Sequence, residues 1–243
     1  MNQQGSSAYV NFASANGDTI GAQVAVAETT TPTPGIVLVP GVTGVGTTEI
    51  EMAERLAGEG FSAAFLDIYA REESPDLSTV QSARAVIRHI TDSQVMDDMA
   101  GAASYLRELP QCDGRVGLVG FCAGGRYVTL FISHSDACQA AVSCHGIIMP
   151  DKIGTPETRP FAPIDLVERV SVPLLGLYGA EDTFPSPEDV QRYDEALTAH
   201  GKAHEFHTYP GAAHSFLDHN ADSYRREAAE DAWRRIRDWI NAS

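Results

Sequence analysis

The sequence predicts an α/β fold with a mostly parallel central sheet, helices on both faces and an N-terminal antiparallel hairpin. Near-continuous apolar runs of strand length alternate with segments of helical spacing through most of the chain. Such runs are typical of strands that are buried on both faces of a sheet. No internal repeat or low-complexity tract competes with this pattern. Because the carboxyl ends of parallel strands share one edge, we expect the active site just outside that edge.

The elements follow one another in a regular order. Residues 8–12 and 19–26 alternate apolar and polar side chains around Asn16-Gly17, which predicts a hairpin with a tight turn. A flexible-looking Thr/Pro segment, 29–34, comes next. The predicted buried strands then lie at 35–39, 63–68, 116–120, 140–143 and 173–178, and 205–213 is a further strand-like stretch that ends in a loop. Helical spacing is clearest within 50–57, 95–106 and 233–240.

Length and charge limit the classes of function. A chain of 243 residues that is 43% hydrophobic suits one α/β domain over 1–243. Its 33 acidic and 17 basic residues give a formal charge of -16 without a Lys/Arg cluster, so nucleic acid is not an expected partner. No apolar stretch is long enough to span a bilayer, and no basic segment leads into an apolar run at the N-terminus. We therefore expect a cytoplasmic protein without a membrane partner, either a monomer or a small homo-oligomer.

The four cysteines point to reduced thiols rather than to a metal site. Cys112, Cys122, Cys138 and Cys144 lack CxxC pairing and are sparse for this length, which argues against zinc and against a disulfide framework. No metal and no cofactor is expected. Most such cysteines are small buried hydrophobic residues, so each is expected to be structural unless its surroundings indicate otherwise.

Cys122 has such surroundings. Residues 115–130 predict a buried strand, a sharp turn and a helix, with Cys122 at the turn. Gly120 and Gly124 stand two residues before and two after it, where the turn brings strand and helix backbones close together. The sulfur would lie at a helix N-terminus, where the dipole and free N–H groups stabilise a thiolate. Cys122 is therefore a candidate nucleophile; the alternative is that it only fills space at a tight turn.

A nucleophile of this kind needs a carboxylate and an imidazole after later strands, in that order. The strand at 173–178 ends in a loop that carries Glu181 and Asp182, and the residues alone leave both open, with Asp182 favoured. His214 follows the stretch at 205–213, in the place expected for the base. His145 ends another strand at the same edge but precedes Asp182 in the chain, so we expect it to line the pocket.

Two backbone N–H groups are expected to stabilise the oxyanion of a tetrahedral intermediate. One is that of Ala123, directly after the candidate nucleophile. The other is that of Val42, in the glycine-containing loop 39–44 after the first central strand. This loop has no Lys after its glycines and no GxGxxG spacing, so a nucleotide site is not expected there.

With these features the sequence resembles the dienelactone hydrolase family of α/β-hydrolases. The matching motifs run in order over almost the whole chain and are Asp67-Ile68-Tyr69-Ala70-Arg71, Gly117-Leu118-Val119-Gly120-Phe121-Cys122-Ala123-Gly124-Gly125, Gly179-Ala180-Glu181-Asp182 and Tyr209-Pro210-Gly211-Ala212-Ala213-His214-Ser215-Phe216. The resemblance implies an α/β-hydrolase fold and a small-molecule ester or lactone substrate. It also implies Cys122, Asp182 and His214 as nucleophile, orienting acid and base.

Two positions depart from the family members that cleave dienelactone. Gly41 stands where those members have a Glu that helps to control activation of the thiol, and Asp218 stands where they have an Arg that binds the substrate carboxylate. A carboxylate-bearing lactone would be repelled by Asp218. Arg84, on a predicted helix, is a candidate to compensate, with solvation at the surface as the alternative.

Arg84, Tyr69 and His145 are the candidate substrate-binding residues, and the loop 149–165 is expected to form part of the pocket wall. The predicted activity is hydrolysis of an ester or lactone through a thioester intermediate on Cys122. A general carboxylesterase or thioesterase for an uncharged substrate is one alternative. The other belongs to a different class, a catalytically weak binding module that keeps the fold.

Overall fold

A computed structural model describes residues 6–150 and 153–243 of the protein. Residues 1–5 lie outside the described residues. So do residues 151 and 152 of the expected pocket-wall loop. Residues 1–5 belong to the N-terminal segment in which no basic stretch leads into an apolar run.

The described residues form a mixed sheet in which β1 and β2 are an antiparallel hairpin and the later strands are parallel. The strand order is β1-β2-β4-β3-β5-β6-β7-β8, β4 pairs antiparallel with β2, and all pairs from β4 onward are parallel. The predicted mostly parallel sheet and N-terminal hairpin are therefore confirmed. The strands are β1 (Ser7–Ala13), β2 (Thr19–Ala25), β3 (Thr33–Val39), β4 (Ala63–Leu66), β5 (Cys112–Phe121), β6 (Ala140–Cys144), β7 (Leu174–Gly179) and β8 (His204–Tyr209).

Helices cover both faces of the sheet. They are α1 (Thr47–Gly58), α2 (Val80–Ile87), α3 (Asp92–Glu108), α4 (Ala123–Phe131), α5 (Pro187–Ala199) and α6 (Arg226–Ala242), with a 3-10 helix at Pro163–Arg169. Apolar residues of α1 and α6, such as Leu56 and Trp233, form one buried cluster. Those of α3, α4 and α5, such as Met99 and Tyr127, form a second. The apolar runs of β3 to β7 thus lie between two apolar layers, which explains their near-continuous apolar sequence, whereas the edge strand β8 is only partly buried.

The ends of several strands differ from the predicted ones because strand pairing extends beyond the apolar runs. Thr33 pairs with Cys112 across β3 and β5, so β5 begins before residue 116 and the last two residues of the Thr/Pro segment belong to a strand. The hairpin turn is longer than a two-residue turn. It spans residues 14–18, with Gly17 at φ 93° and the side chain of Asn16 accepting a hydrogen bond from the Asp18 N–H. Among the described residues, none of the helices has the length and apolarity needed to cross a membrane.

Candidate active site

The turn between β5 and α4 has the sharp geometry that the sequence predicts. β5 ends at Phe121, α4 begins at Ala123, and Cys122 between them has φ 54° and ψ -114°. A positive φ is uncommon for a residue with a side chain and is a strained conformation. The Cys122 N–H donates to the carbonyl of Cys144 at 3.0 Å, which fastens the turn to β6. The thiol is therefore presented at the carboxyl edge of the sheet.

The two glycines that flank Cys122 are required by close backbone contacts. A Cβ atom on Gly120 would lie 2.2 Å from the carbonyl oxygen of Gly124, and one on Gly124 would lie 2.0 Å from that of Val39. Real side chains do not approach backbone so closely. The predicted need for small residues two before and two after Cys122 is confirmed.

Asp182 and His214 come together at the same edge. Asp182 lies in the loop after β7 and His214 in the loop after β8, and His214 Nδ1 is 2.8 Å from Asp182 Oδ2. The other carboxylate oxygen of Asp182 accepts a hydrogen bond from the Phe184 N–H at 2.9 Å. The Asp182 side chain is 2% exposed, so its position is fixed by protein contacts. Glu181, the alternative acid, is exposed.

The imidazole of His214 also contacts the thiol of Cys122. Burial by itself lowers the pKa of His214, but hydrogen bonds with Asp182 and Cys122, together with the charges of both groups, outweigh this and raise the pKa to about 10. His214 thus lies between a thiol and a fixed carboxylate. The structure brings together all three residues of the predicted triad.

A cavity of about 330 Å³ opens at these residues and has Cys122, Asp182 and His214 in its lining. Its other walls are largely apolar, and two exposed apolar side chains, Val80 and Phe184, also border it. A concave, mostly apolar site with a few polar groups is typical for a small organic ligand.

The loop after β3 packs against the candidate nucleophile. A Cβ atom on Gly41 would lie 3.4 Å from Cys122 Cβ, and Val42 lines the cavity. Among the described residues, the N–H groups of Val42 and Ala123 have no hydrogen-bond acceptor. The Ala123 N–H belongs to the first turn of α4, where backbone donors have no partner within the helix. Both groups are free to accept a ligand oxygen as partner.

The three candidate substrate-binding residues differ in position. Arg84, on α2, lines the cavity and is exposed; His145 lines it and is buried. Tyr69 is not part of the lining. Its ring is buried, its hydroxyl donates to the carbonyl of Val42 at 2.5 Å, and it lies beneath Gly44. Tyr69 therefore supports the loop that carries Val42 instead of contacting the cavity, because its phenol reaches inward to a backbone acceptor.

His145 has an unusual environment. Its ring lies edge-on to that of His214 with 4.6 Å between centroids, and its Nδ1 atom has no hydrogen-bond partner among the described residues. Burial, with a smaller contribution from the charge of His214, holds the pKa of His145 well below its ordinary value. The imidazole of His145 is therefore neutral while that of His214 carries the proton.

Glu49 is a cavity-lining residue that sequence reasoning missed. It lies in the first turn of α1, and its carboxylate accepts a hydrogen bond from the Gly46 N–H at 2.9 Å. An acidic residue at this position is an ordinary helix-capping feature, so nothing local in the sequence marks it as part of a site.

The cysteines outside the cavity are enclosed to different degrees. Burial raises the pKa of the Cys138 thiol to about 12 and raises that of Cys144 further. Cys112 is half-buried, and its thiol contacts the carbonyl of Arg115. The expectation that Cys138 and Cys144 are structural is confirmed by their burial.

Comparisons with known proteins identify the family of the chain. The model of the dienelactone hydrolase family matches residues 20–243. The chain is 34% identical over 214 residues to a Methylorubrum extorquens protein described as "Putative carboxymethylenebutenolidase", covering 86% of this chain and 72% of that protein. It is 29% identical over 201 residues to a Bradyrhizobium protein described as "Probable 2-oxo-3-(5-oxofuran-2-ylidene)propanoate lactonase", covering 82% and 80% of the two chains.

A solved structure is similar over nearly the full length of both chains. The crystal structure described as "Putative Dienelactone Hydrolase from Klebsiella pneumoniae" superposes with a TM-score of 0.85 at 28% identity, covering 96% of this chain and 98% of that one. With the family model matching most of the chain, the predicted α/β-hydrolase fold is confirmed, and the protein belongs to the dienelactone hydrolase family.

Proposed function

We propose that the protein hydrolyses an ester or lactone through an acyl-enzyme in which Cys122 carries the acyl group as a thioester. Family membership makes it a carboxylic ester hydrolase; the proposal concerns the residues that do the chemistry. The observation that carries it is the line of contacts from the Cys122 thiol through His214 to the buried Asp182, in one cavity. This is the arrangement of an activated nucleophile, its base and an orienting acid.

Before acylation the proton of the Cys122 thiol has passed to His214, and the thiolate sulfur then attacks the substrate carbonyl carbon. The carbonyl oxygen becomes negatively charged and accepts hydrogen bonds from the N–H groups of Val42 and Ala123. When the intermediate collapses, the C–O bond to the alkoxy group breaks and His214 gives its proton to the leaving oxygen. In a lactone, that oxygen stays attached to the acyl chain.

In the deacylation step, His214 removes a proton from water as the water oxygen attacks the thioester carbonyl. The C–S bond then breaks, the acid product leaves, and Cys122 is restored. Asp182 stabilises the imidazolium in both steps and holds the ring in position. Because thiolate is a good leaving group, we expect turnover of activated esters and lactones and no cleavage of amides.

The position of Gly41 is consistent with activation of the thiol by His214 alone. Gly41 lies against Cys122 and offers no side chain, so no carboxylate of this loop competes for the thiol proton. The lactonase name of the Bradyrhizobium relative supports testing lactones alongside simple esters.

Mass spectrometry of the protein mixed with aryl esters and with unsaturated lactones tests the proposal. We expect an acyl adduct on Cys122 and a burst of product in the wild-type protein. Cys122→Ala should abolish both, whereas Cys112→Ala, at a half-buried thiol outside the cavity, should leave them unchanged. Hydrolysis by Cys122→Ala at the wild-type rate would rule out the mechanism. Binding of these compounds without burst or adduct would favour the non-catalytic alternative.

A further inference from the structure

Two carboxylates, Glu49 and Asp218, both line the cavity that contains Cys122 and His214. Glu49 comes from the first turn of α1 and Asp218 from the loop after β8, four residues beyond His214. Burial raises the pKa of Glu49, and the charge of Asp218 raises it further, as expected for two like charges near each other.

Contacts outside the cavity hold these two carboxylates together. Asn220 Nδ2 donates to the hydroxyl of Thr48 at 2.9 Å, and His219 Nε2 lies 2.9 Å from a carboxylate oxygen of Glu51. Both contacts join the start of α1 to the segment that directly follows Asp218. The fold therefore brings two like charges to the same cavity despite their mutual repulsion.

Local capping hydrogen bonds account for only one of the two oxygens of each carboxylate. Glu49 Oε2 accepts a hydrogen bond from the Gly46 N–H, and Asp218 Oδ1 accepts one from the Asn220 N–H, each at 2.9 Å. These bonds fix the orientation of the side chains and involve one oxygen of each. Both carboxylates are half-buried and border open space in the cavity.

His145 supplies an independent sign that the cavity is built for a ligand. Its side chain is 3% exposed, borders the same cavity, and has a nitrogen without a partner among the described residues. A buried polar atom of this kind is rare in the absence of a ligand or an ordered water. The imidazole is neutral, so it adds no positive charge that would offset the two carboxylates.

Positive charge around the cavity is sparse. Among the described residues, Arg84 is the one Lys or Arg in the lining, and it is exposed on α2. The charge of His214 is balanced by Asp182. The formal charge of -16 adds a long-range field that attracts cations to the protein and repels anions.

We propose that Glu49 and Asp218 are specificity-determining residues that select esters or lactones carrying an ammonium group and reject those carrying a carboxylate. The inference rests on the proposed function, since it concerns substrates of the same cavity. Apolar walls such as Met52 and Leu217 would contact the methylene groups between the ammonium and the reacting carbonyl.

Three aryl esters of similar length test this proposal: one with a terminal trimethylammonium group, one with the uncharged tert-butyl group of the same shape, and one with a carboxylate. We expect the wild-type protein to give the highest kcat/KM for the ammonium ester and the lowest for the carboxylate ester. Glu49→Gln and Asp218→Asn keep a hydrogen-bond acceptor at each position. Each should lower kcat/KM for the ammonium ester about fivefold relative to that for the tert-butyl ester, and raise kcat/KM for the carboxylate ester relative to the same reference.

Asp222→Asn is the matched control, because Asp222 lies in the same loop, is exposed and does not line the cavity. This variant changes the net charge by the same amount and should leave kcat/KM unchanged for all three esters. Equal effects of Asp218→Asn and Asp222→Asn, or equal effects on all three esters, would overturn the proposal.

A binding measurement separates this inference from the proposed mechanism. The ligand is the amide that corresponds to the trimethylammonium ester, because we expect no cleavage of amides. Calorimetry should show that this amide binds to Cys122→Ala and binds about fivefold more weakly to the double variant Cys122→Ala/Asp218→Asn. Such binding without any turnover by the wild-type protein would sink the mechanism and leave the charge selectivity standing. Turnover of all three esters with no preference for the ammonium group would overturn the charge selectivity and leave the mechanism standing.

Discussion

Backbone strain at single residues is concentrated around the cavity. Four described residues other than glycine have positive φ, and three of them, Cys122 at 54°, His145 at 41° and Ser215 at 61°, line the cavity. The fourth, Ser74, does not. A strained backbone persists only where surrounding contacts enforce it. Cys122 and His145 directly follow β5 and β6, and Ser215 lies in the loop after β8, next to His214. The strained turn thus presents the Cys122 thiol to His214, whose ring lies edge-on to that of His145.

The Asp182 carboxylate is expected to matter for rate more than for substrate binding. Asp182→Asn keeps the shape of the side chain but removes the charge that stabilises the imidazolium of His214, so kcat should fall roughly 10³- to 10⁴-fold with little change in KM. The pKa of His214, followed by NMR, should fall in the same variant. Glu181→Gln, at the exposed neighbour, is the control and should retain wild-type kcat. A full-rate Asp182→Asn enzyme would contradict the assigned role.

The raised pKa of His214 makes a contribution to stability that depends on pH. Its value in the folded protein, about 10, exceeds the ordinary 6.5, so the folded state holds the proton more tightly than the unfolded state. The contribution is complete below pH 6.5, declines between 6.5 and 10, and is lost above 10. Urea unfolding of the wild-type protein and of His214→Gln from pH 6 to 10.5 should therefore give a difference in unfolding free energy that shrinks as pH rises. A difference independent of pH would show that the proton is not bound in this way.

At the level of elements, the turn between β5 and α4 depends on contact between backbones. Gly124→Ala would place a methyl group 2.0 Å from the carbonyl oxygen of Val39, so β3 and α4 must separate. We expect a loss of roughly 2–4 kcal/mol in unfolding free energy and a loss of thiol reactivity, because the turn moves with the helix. Gly17→Ala is a useful comparison. Gly17 has φ 93° and nothing within 4 Å of the added atom, so it tests backbone strain alone, at about 1 kcal/mol. Similar losses for both variants would show that steric contact is not the cause.

The helix that follows the nucleophile is anchored by a buried ion pair. Arg126, in the first turn of α4, forms a bidentate pair with Asp92 at the start of α3 and donates to the carbonyl of Phe161 at 2.8 Å. The Arg126 and Asp92 side chains are 2% and 7% exposed. The pair therefore joins two helices and the segment before the 3-10 helix.

Removing Asp92 takes away the carboxylate that balances the buried charge of Arg126. We expect Asp92→Ala to lower the unfolding free energy by about 3–5 kcal/mol in urea titrations. The double variant Asp92→Leu/Arg126→Met should be less destabilised than Asp92→Ala, since apolar groups of similar volume replace both charges. If the double variant were the less stable of the two, loss of the carboxylate that balances the Arg126 charge would not be the dominant effect.

For the molecule as a whole, the sequence predicted what depends on local pattern and missed what depends on distant packing. The alternation of apolar runs and helical spacing identified the sheet, and the glycines around Cys122 identified the turn, because both are set by neighbours in the chain. The start of β3 was missed because it depends on pairing of Thr33 with Cys112. The positions of Tyr69 and Glu49 also depend on distant packing. The hydroxyl of Tyr69 turns inward to the carbonyl of Val42, so the ring does not line the cavity. Glu49 was overlooked because it reaches the cavity only where α1 packs beside the loop after β8.

The excess of negative charge acts over the whole molecule and should make stability depend on salt. With 33 acidic and 17 basic residues, repulsion among carboxylates opposes the compact state, and added salt screens this repulsion. Salt also weakens exposed ion pairs such as Arg237–Glu59 and Arg115–Asp113, but pairs of this kind contribute little. We therefore expect the Tm at pH 8 to rise by about 3–6 °C between roughly 0.02 and 0.5 M KCl, measured by circular dichroism. A Tm that falls with KCl at pH 8 would mean that specific ion pairs, and not net repulsion, dominate the electrostatics of the fold.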